Sequence, residues 1–76
     1  MKKEEMARVQ AFLRKRLGNE KIEVRARPKK TDSAEVYIGQ RDEDFIAVLY
    51  REEEDGEVSY QFQMAIIELD LEDMGL

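Results

Sequence analysis

The sequence predicts an α+β fold, with one N-terminal helix packed on a four-stranded antiparallel meander sheet. Three observations predict it. Apolar residues recur at spacings of three and four as far as Leu17, and from Ile22 onward the period changes to two. The connections between the later apolar runs are two to six residues long, which suits antiparallel neighbours and leaves no room for parallel crossovers. A chain of 76 residues supports one core, so residues 1–76 are read as a single small domain.

The helix is expected from about residue 2 to Leu17, on the spacing of Met6, Val9, Leu13 and Leu17. At 100° per residue these four fall in a band about 80° wide, a narrow stripe suited to lying on a sheet. Glu4 and Glu5 stand in the first turn and Arg14, Lys15 and Arg16 in the last, each sign where the helix dipole favours it. Gly18 supplies the left-handed residue that ends the helix. Phe12 lies about 100° from the stripe centre, flanked by Arg8 and Arg16, which makes it either the margin of the core or an outward anchor.

Strands are expected near 21–27, 34–39, 45–51 and 57–66. Ile22, Val24 and Ala26 alternate with charged residues until Pro28 ends the run, and KKTDS forms the following loop. Ala34, Val36 and Ile38 make the second strand, and the polar stretch from Gly39 to Asp44 the next turn. The third strand, FIAVLY, is apolar on both faces, so one of its rows faces away from the helix.

Asp55-Gly56 then closes a hairpin into Val58, Tyr60, Phe62 and Met64. A two-residue loop sets Phe45, Ala47 and Leu49 beside the apolar row of the last strand; a three-residue loop sets Ile46, Val48 and Tyr50 there. Residues 67–74 fit either an extended segment or a short helix. The core expected from these periods joins Met6, Val9, Leu13, Leu17, Val24, Val36, Ile38 and Phe62.

The stretch FIAVLYREEEDGEVSYQFQMAIIELDLE, behind a basic amphipathic opening, resembles a family of short, uncharacterised bacterial proteins described as a domain of unknown function. The likeness spans most of the chain and is most specific from Phe45 through the Asp-Gly turn to FQMAI. It implies a small stand-alone bacterial protein and brings no catalytic or binding residue with it.

The chemistry available is narrow. With no Cys and no His, the usual zinc ligands, thiol nucleophiles and the one side chain that titrates unperturbed near neutrality are gone. Ser33 and Ser59 have no histidine to activate them, and the carboxylates fall at turns and outward strand positions. The four glycines are dispersed and none opens a helix, so no phosphate-cradling loop is present. Asp42 to Glu53 has the length of a calcium loop, but Ile46 and Ala47 stand where an oxygen ligand and a glycine are needed. Glu52 to Asp55 reads as a solvated turn. A non-enzymatic protein with no cofactor and no metal is expected. No apolar run approaches the length of a membrane span, no secretory signal opens the chain, and the missing cysteines agree with a reducing compartment, so the expectation is cytoplasmic.

Charge is distributed unevenly. Residues 1–30 hold eleven Lys/Arg and four Asp/Glu, a balance of +7, whereas residues 31–76 hold two and fourteen, a balance of −12; together they give the net −5. The expected function is a protein-interaction module, self-associating as a homodimer through an apolar sheet face or one of two open sheet edges. The apolar residues assigned to that surface are Phe12, Tyr37, Phe45 and Leu49. The alternative is binding of a nucleic-acid backbone by Arg14, Lys15, Arg16, Arg25 and Arg27, with Tyr37 available to stack on a base. A net charge of −5 and fourteen acids in the rest of so small a body oppose the approach of a polyanion, so charge complementarity within or between chains is the favoured use of the basic half.

Overall fold

The computed structural model describes all 76 residues. Helix α1 spans Lys3–Leu17, and strands β1 (Ile22–Ala26), β2 (Ser33–Ile38), β3 (Phe45–Glu54) and β4 (Glu57–Gln63) follow, with a short 3₁₀ turn at Asp42–Asp44 and a final helix α2 at Glu68–Asp73. The sheet order is β1-β2-β3-β4 and every pair is antiparallel. This is the α+β meander expected from the sequence.

Local chemistry sets the ends of α1. The Glu5 carboxylate accepts the Lys2 N–H at 3.1 Å, satisfying one of the free donors of the first turn. Gly18, at φ 65 and ψ 36, takes the left-handed conformation, and the Asn19 N–H closes the end on the Arg14 carbonyl.

The hairpin is the two-residue alternative. Asp55 and Gly56 both have positive φ, 53° and 79°, as a type I′ turn requires, and Glu54 pairs with Glu57. Leu49 therefore stands opposite Phe62 and Arg51 opposite Tyr60. Between β2 and β3 the register shifts: Val36 pairs with Ala47 but Tyr37 with Phe45, so Ile46 is an extra residue in a bulge. The bulge turns Ile46 onto the core while Phe45 stays on the outer face with Tyr37.

The core is small. Leu13, Ile22, Ala34, Val36, Ala47 and Leu49 are buried together, with Met6, Val9, Val24 and Tyr60 half-buried around them. Three expected core residues lie elsewhere: Leu17 is 56% exposed, and Ile38 and Phe62 are each 37% exposed. α1 lies over β1 and the centre of the sheet, so the inner side of β4 and the last turn of the helix reach past the zone of contact.

β4 ends at Gln63, short of the expected 66, and the apolar residues after it form an exposed tail that holds α2, so of the two readings of residues 67–74 the short helix is found, over Glu68–Asp73 with Ile67 extended before it. The accessible surface is 6236 Å², against about 4,900 Å² for a folded chain of this mass. The radius of gyration, 13.5 Å, likewise exceeds the roughly 11 Å of a compact chain of this length.

Candidate interaction surface

The two edges of the sheet are treated differently. β1 is an edge strand, but side chains of α1 occupy its free side: Gln10 Oε1 accepts the Val24 N–H at 2.9 Å, and Arg14 Nε donates to the Ile22 carbonyl at 2.7 Å. The Asn19 carbonyl accepts the Ile22 N–H. The helix thus covers the first half of that edge, from Ile22 to the Val24 N–H, so β1 is the more protected of the two expected open edges. On β4 the alternation set by the Glu54–Glu57 pair turns the N–H and C=O groups of Val58, Tyr60 and Phe62 outward, away from β3. None of them has a backbone partner.

Beside that edge runs an apolar groove between α1 and the β3–β4 hairpin, about 390 Å³ in volume, lined by Val9, Phe12, Leu13, Leu49, Tyr60 and Phe62 with Glu5 and Arg8 at its rim. Its volume falls in the range of ~300–1,000 Å³ typical of binding clefts. The groove exists because α1 is offset toward β1, leaving a gap where a second helix would otherwise lie. Glu5 fixes its upper end. The carboxylate accepts the Tyr60 hydroxyl at 2.7 Å and Arg51 Nε at 2.6 Å, tying the first turn of α1 to both strands of the hairpin. The Tyr60 hydrogen bond, the Lys2 N–H and Arg51 together hold the Glu5 pKa down, from 4.5 to about 2. The same bond raises the Tyr60 pKa.

On the outer face of the sheet the Arg25 guanidinium covers the Tyr37 ring at 3.9 Å from its centroid and pairs with Glu23, while the Tyr37 hydroxyl donates to Glu35 at 3.0 Å. Phe45 meets Tyr37 edge-on, with ring centroids 5.7 Å apart. Arg27 donates to the buried Ser33 hydroxyl.

The four apolar residues assigned from the sequence do not form one surface. Phe12 is the most exposed, at 62%, on the rim of the groove; Phe45 is exposed on the opposite face of the sheet. Leu49 is a correction: the two-residue turn points it under the helix, where it is almost wholly buried. Tyr37 is a second correction, buried because Arg25 and Phe45 enclose its ring. The five basic candidates separate likewise. Arg14, Lys15 and Arg16 lie on α1 above the inner face, Arg25 and Arg27 lie on the outer face, and Arg14, Arg25 and Arg27 are each engaged within the chain.

Sequence reasoning missed Tyr60 and Phe62 as groove residues, because the placement of α1 across the sheet decides which part of β4 lies beyond the helix. It also missed the exposed apolar tail: Met64, Ile66, Ile67, Leu69, Met74 and Leu76 are all more than half exposed. The spacing of Ile67, Leu71 and Met74, with acids between them, was the signal for it.

No helix is long and apolar enough to cross a membrane. No three acidic side chains converge as a metal site would require, those of the Glu52–Asp55 turn included. Comparison with known proteins finds no matching curated protein and no matching solved structure. A family described as a protein of unknown function (DUF3126) matches residues 5–70, from the first turn of α1 into α2. With the groove, the free β4 edge and most of the tail inside the matched region, the chain belongs to the DUF3126 family.

Proposed function

We propose that this protein is a non-enzymatic interaction module, acting in the cytoplasm of a bacterium, that self-associates as a homodimer through the free β4 edge and the groove beside it. The observation that carries the reading is unburied surface. The chain exposes about 1,300 Å² more than a compact chain of its mass, and a partner in a standard interface contributes about 800 Å². That excess includes the groove side of Phe12 and Phe62 and the apolar tail, all on or next to the open β4 edge. The separation of the basic candidates onto opposite faces favours this reading over binding of a nucleic-acid backbone, which needs a continuous basic track. The absence of cysteine agrees with a reducing compartment.

Light scattering on the purified full chain tests the proposal. A mass twice that of the 9.0 kDa chain at tens of micromolar is the expected result; a monomer at that concentration overturns it.

A further inference from the structure

The C-terminal segment following β4 is the least explained part of the molecule. Met64 to Leu76 carries four acids and no basic residue, and its apolar side chains stand in solvent. Ile67, Leu71 and Met74 recur at spacings of four and three, with Leu71 inside α2 and Ile67 and Met74 at its two ends, Ile67 in extended conformation. Ile67 and Met74 are more than half exposed and Leu71 is partly buried, so most of this apolar surface stands uncovered in the single chain. The segment leaves β4 at Gln63 and passes the start of β3, which has no β4 partner before Val48, with Ile67 and Asp70 beside Phe45, Ile46 and Val48. It therefore runs away from the groove under α1, which its own chain leaves empty.

Groove and tail are complementary in both polarity and charge. The groove offers Phe12, Val9 and Phe62, and the exposed side of α1 next to it carries Arg8, Lys15 and Arg16, none of which is in an ion pair within the chain. The tail offers an apolar stripe flanked by Glu68, Asp70, Glu72 and Asp73. A cation-rimmed apolar groove fits an acidic segment that carries apolar anchors. Every copy carries one groove and one tail. A two-fold pair can satisfy both at once, which gives a closed dimer.

We infer that the groove between α1 and β4 of one copy receives the Met64–Leu76 segment of a second copy, with Ile67, Leu71 and Met74 against Phe12 and Phe62 and the tail carboxylates facing Arg8, Lys15 and Arg16. This rests on the self-association proposed above and names the segment that performs it. Exchange of tails accounts for both unburied features with one contact made twice.

The test uses full-length variants at positions that are exposed in the single chain, so that folding is not disturbed. Ile67→Glu with Met74→Glu, and separately Phe12→Glu, are each expected to weaken the dimer about tenfold or more, as loss of an interface anchor does. Mixing the two variants restores one intact groove and one intact tail, so the mixture associates more strongly than either variant alone. Because the chain has no cysteine, Phe12→Cys and Met74→Cys can be placed in separate chains and oxidised together. A disulfide joining the two different chains, in yield above that of either variant with itself, is the expected product. If the full chain is dimeric but the tail variants are equally dimeric, the tail exchange is wrong and self-association stands. A monomeric full chain overturns both, and a chain carrying both cysteines that closes only on itself shows the tail filling its own groove and also overturns the exchange.

Discussion

Glu5 and Arg51, forty-six positions apart in the chain, meet at 2.6 Å, and the Tyr60 hydroxyl completes the contact on the same carboxylate oxygen. One acidic side chain in the first turn of α1 thereby joins the helix to both strands of the last hairpin. It sets the width of the groove at its upper end.

A pH dependence follows from that contact. The Glu5 pKa is lowered from 4.5 to about 2 in the folded chain, so the unfolded chain takes up a proton first as pH falls. Its contribution to stability is complete above about pH 4.5 and is lost between there and about pH 2. Urea unfolding followed through this window should show a falling midpoint for the native chain and a flatter dependence for Glu5→Gln. Equal slopes in the two proteins would remove Glu5 from the account.

The core and the groove rim respond differently to truncation. Leu49 is almost wholly buried beneath α1, and Leu49→Ala should cost about 2–5 kcal/mol of unfolding free energy. Phe12→Ala, at an exposed position, should change the stability of the isolated fold by no more than about 0.5 kcal/mol. Denaturation at concentrations low enough to hold the chain monomeric measures both; a cost at Phe12 comparable with that at Leu49 would place it in the core.

The hairpin turn supplies a third check. Gly56 has φ of 79°, a left-handed backbone that an L side chain adopts at a cost of about 1–2 kcal/mol. Nothing lies close enough to obstruct a methyl group there, so Gly56→Ala reads backbone strain alone. A loss of about 1 kcal/mol in unfolding free energy is expected, and an unchanged midpoint would contradict a left-handed Gly56.

On the outer face, Arg25→Glu removes the cation over Tyr37 and sets a second acid beside Glu23. The expected loss is about 1 kcal/mol of stability. If Arg25 instead serves a nucleic-acid backbone, a labelled RNA or duplex probe at low salt should shift with the native chain and fail to shift with the variant. We expect no shift with either protein.

Much of this arrangement was legible in the sequence, and the exceptions share one physical cause. The stripe of Met6, Val9 and Leu13, the period-two runs and the Asp55-Gly56 turn are local patterns, and each produced the element it implies. Leu49 and Phe62 stand opposite one another across β3 and β4 in the register of a two-residue turn, yet one is buried and the other is not. The difference lies in the lateral offset of α1, which depends on Gln10 and Arg14 engaging the β1 edge. No periodicity encodes that offset. Tyr37 was misjudged for a related reason, since its burial comes from Arg25 and from a bulge that brings Phe45 against it. The tail was visible as a spacing, but whether its stripe is covered is a property of the fold.

Self-association through the open β4 edge and the groove beside it is the central claim, and the molar mass of the full chain in solution tests it most directly. Measured by light scattering at tens of micromolar and low salt, the mass should be twice that of the 9.0 kDa chain, and raised salt should shift it toward the monomer as the facing charges are screened. A mass of one chain, unchanged by concentration or salt, would contradict it.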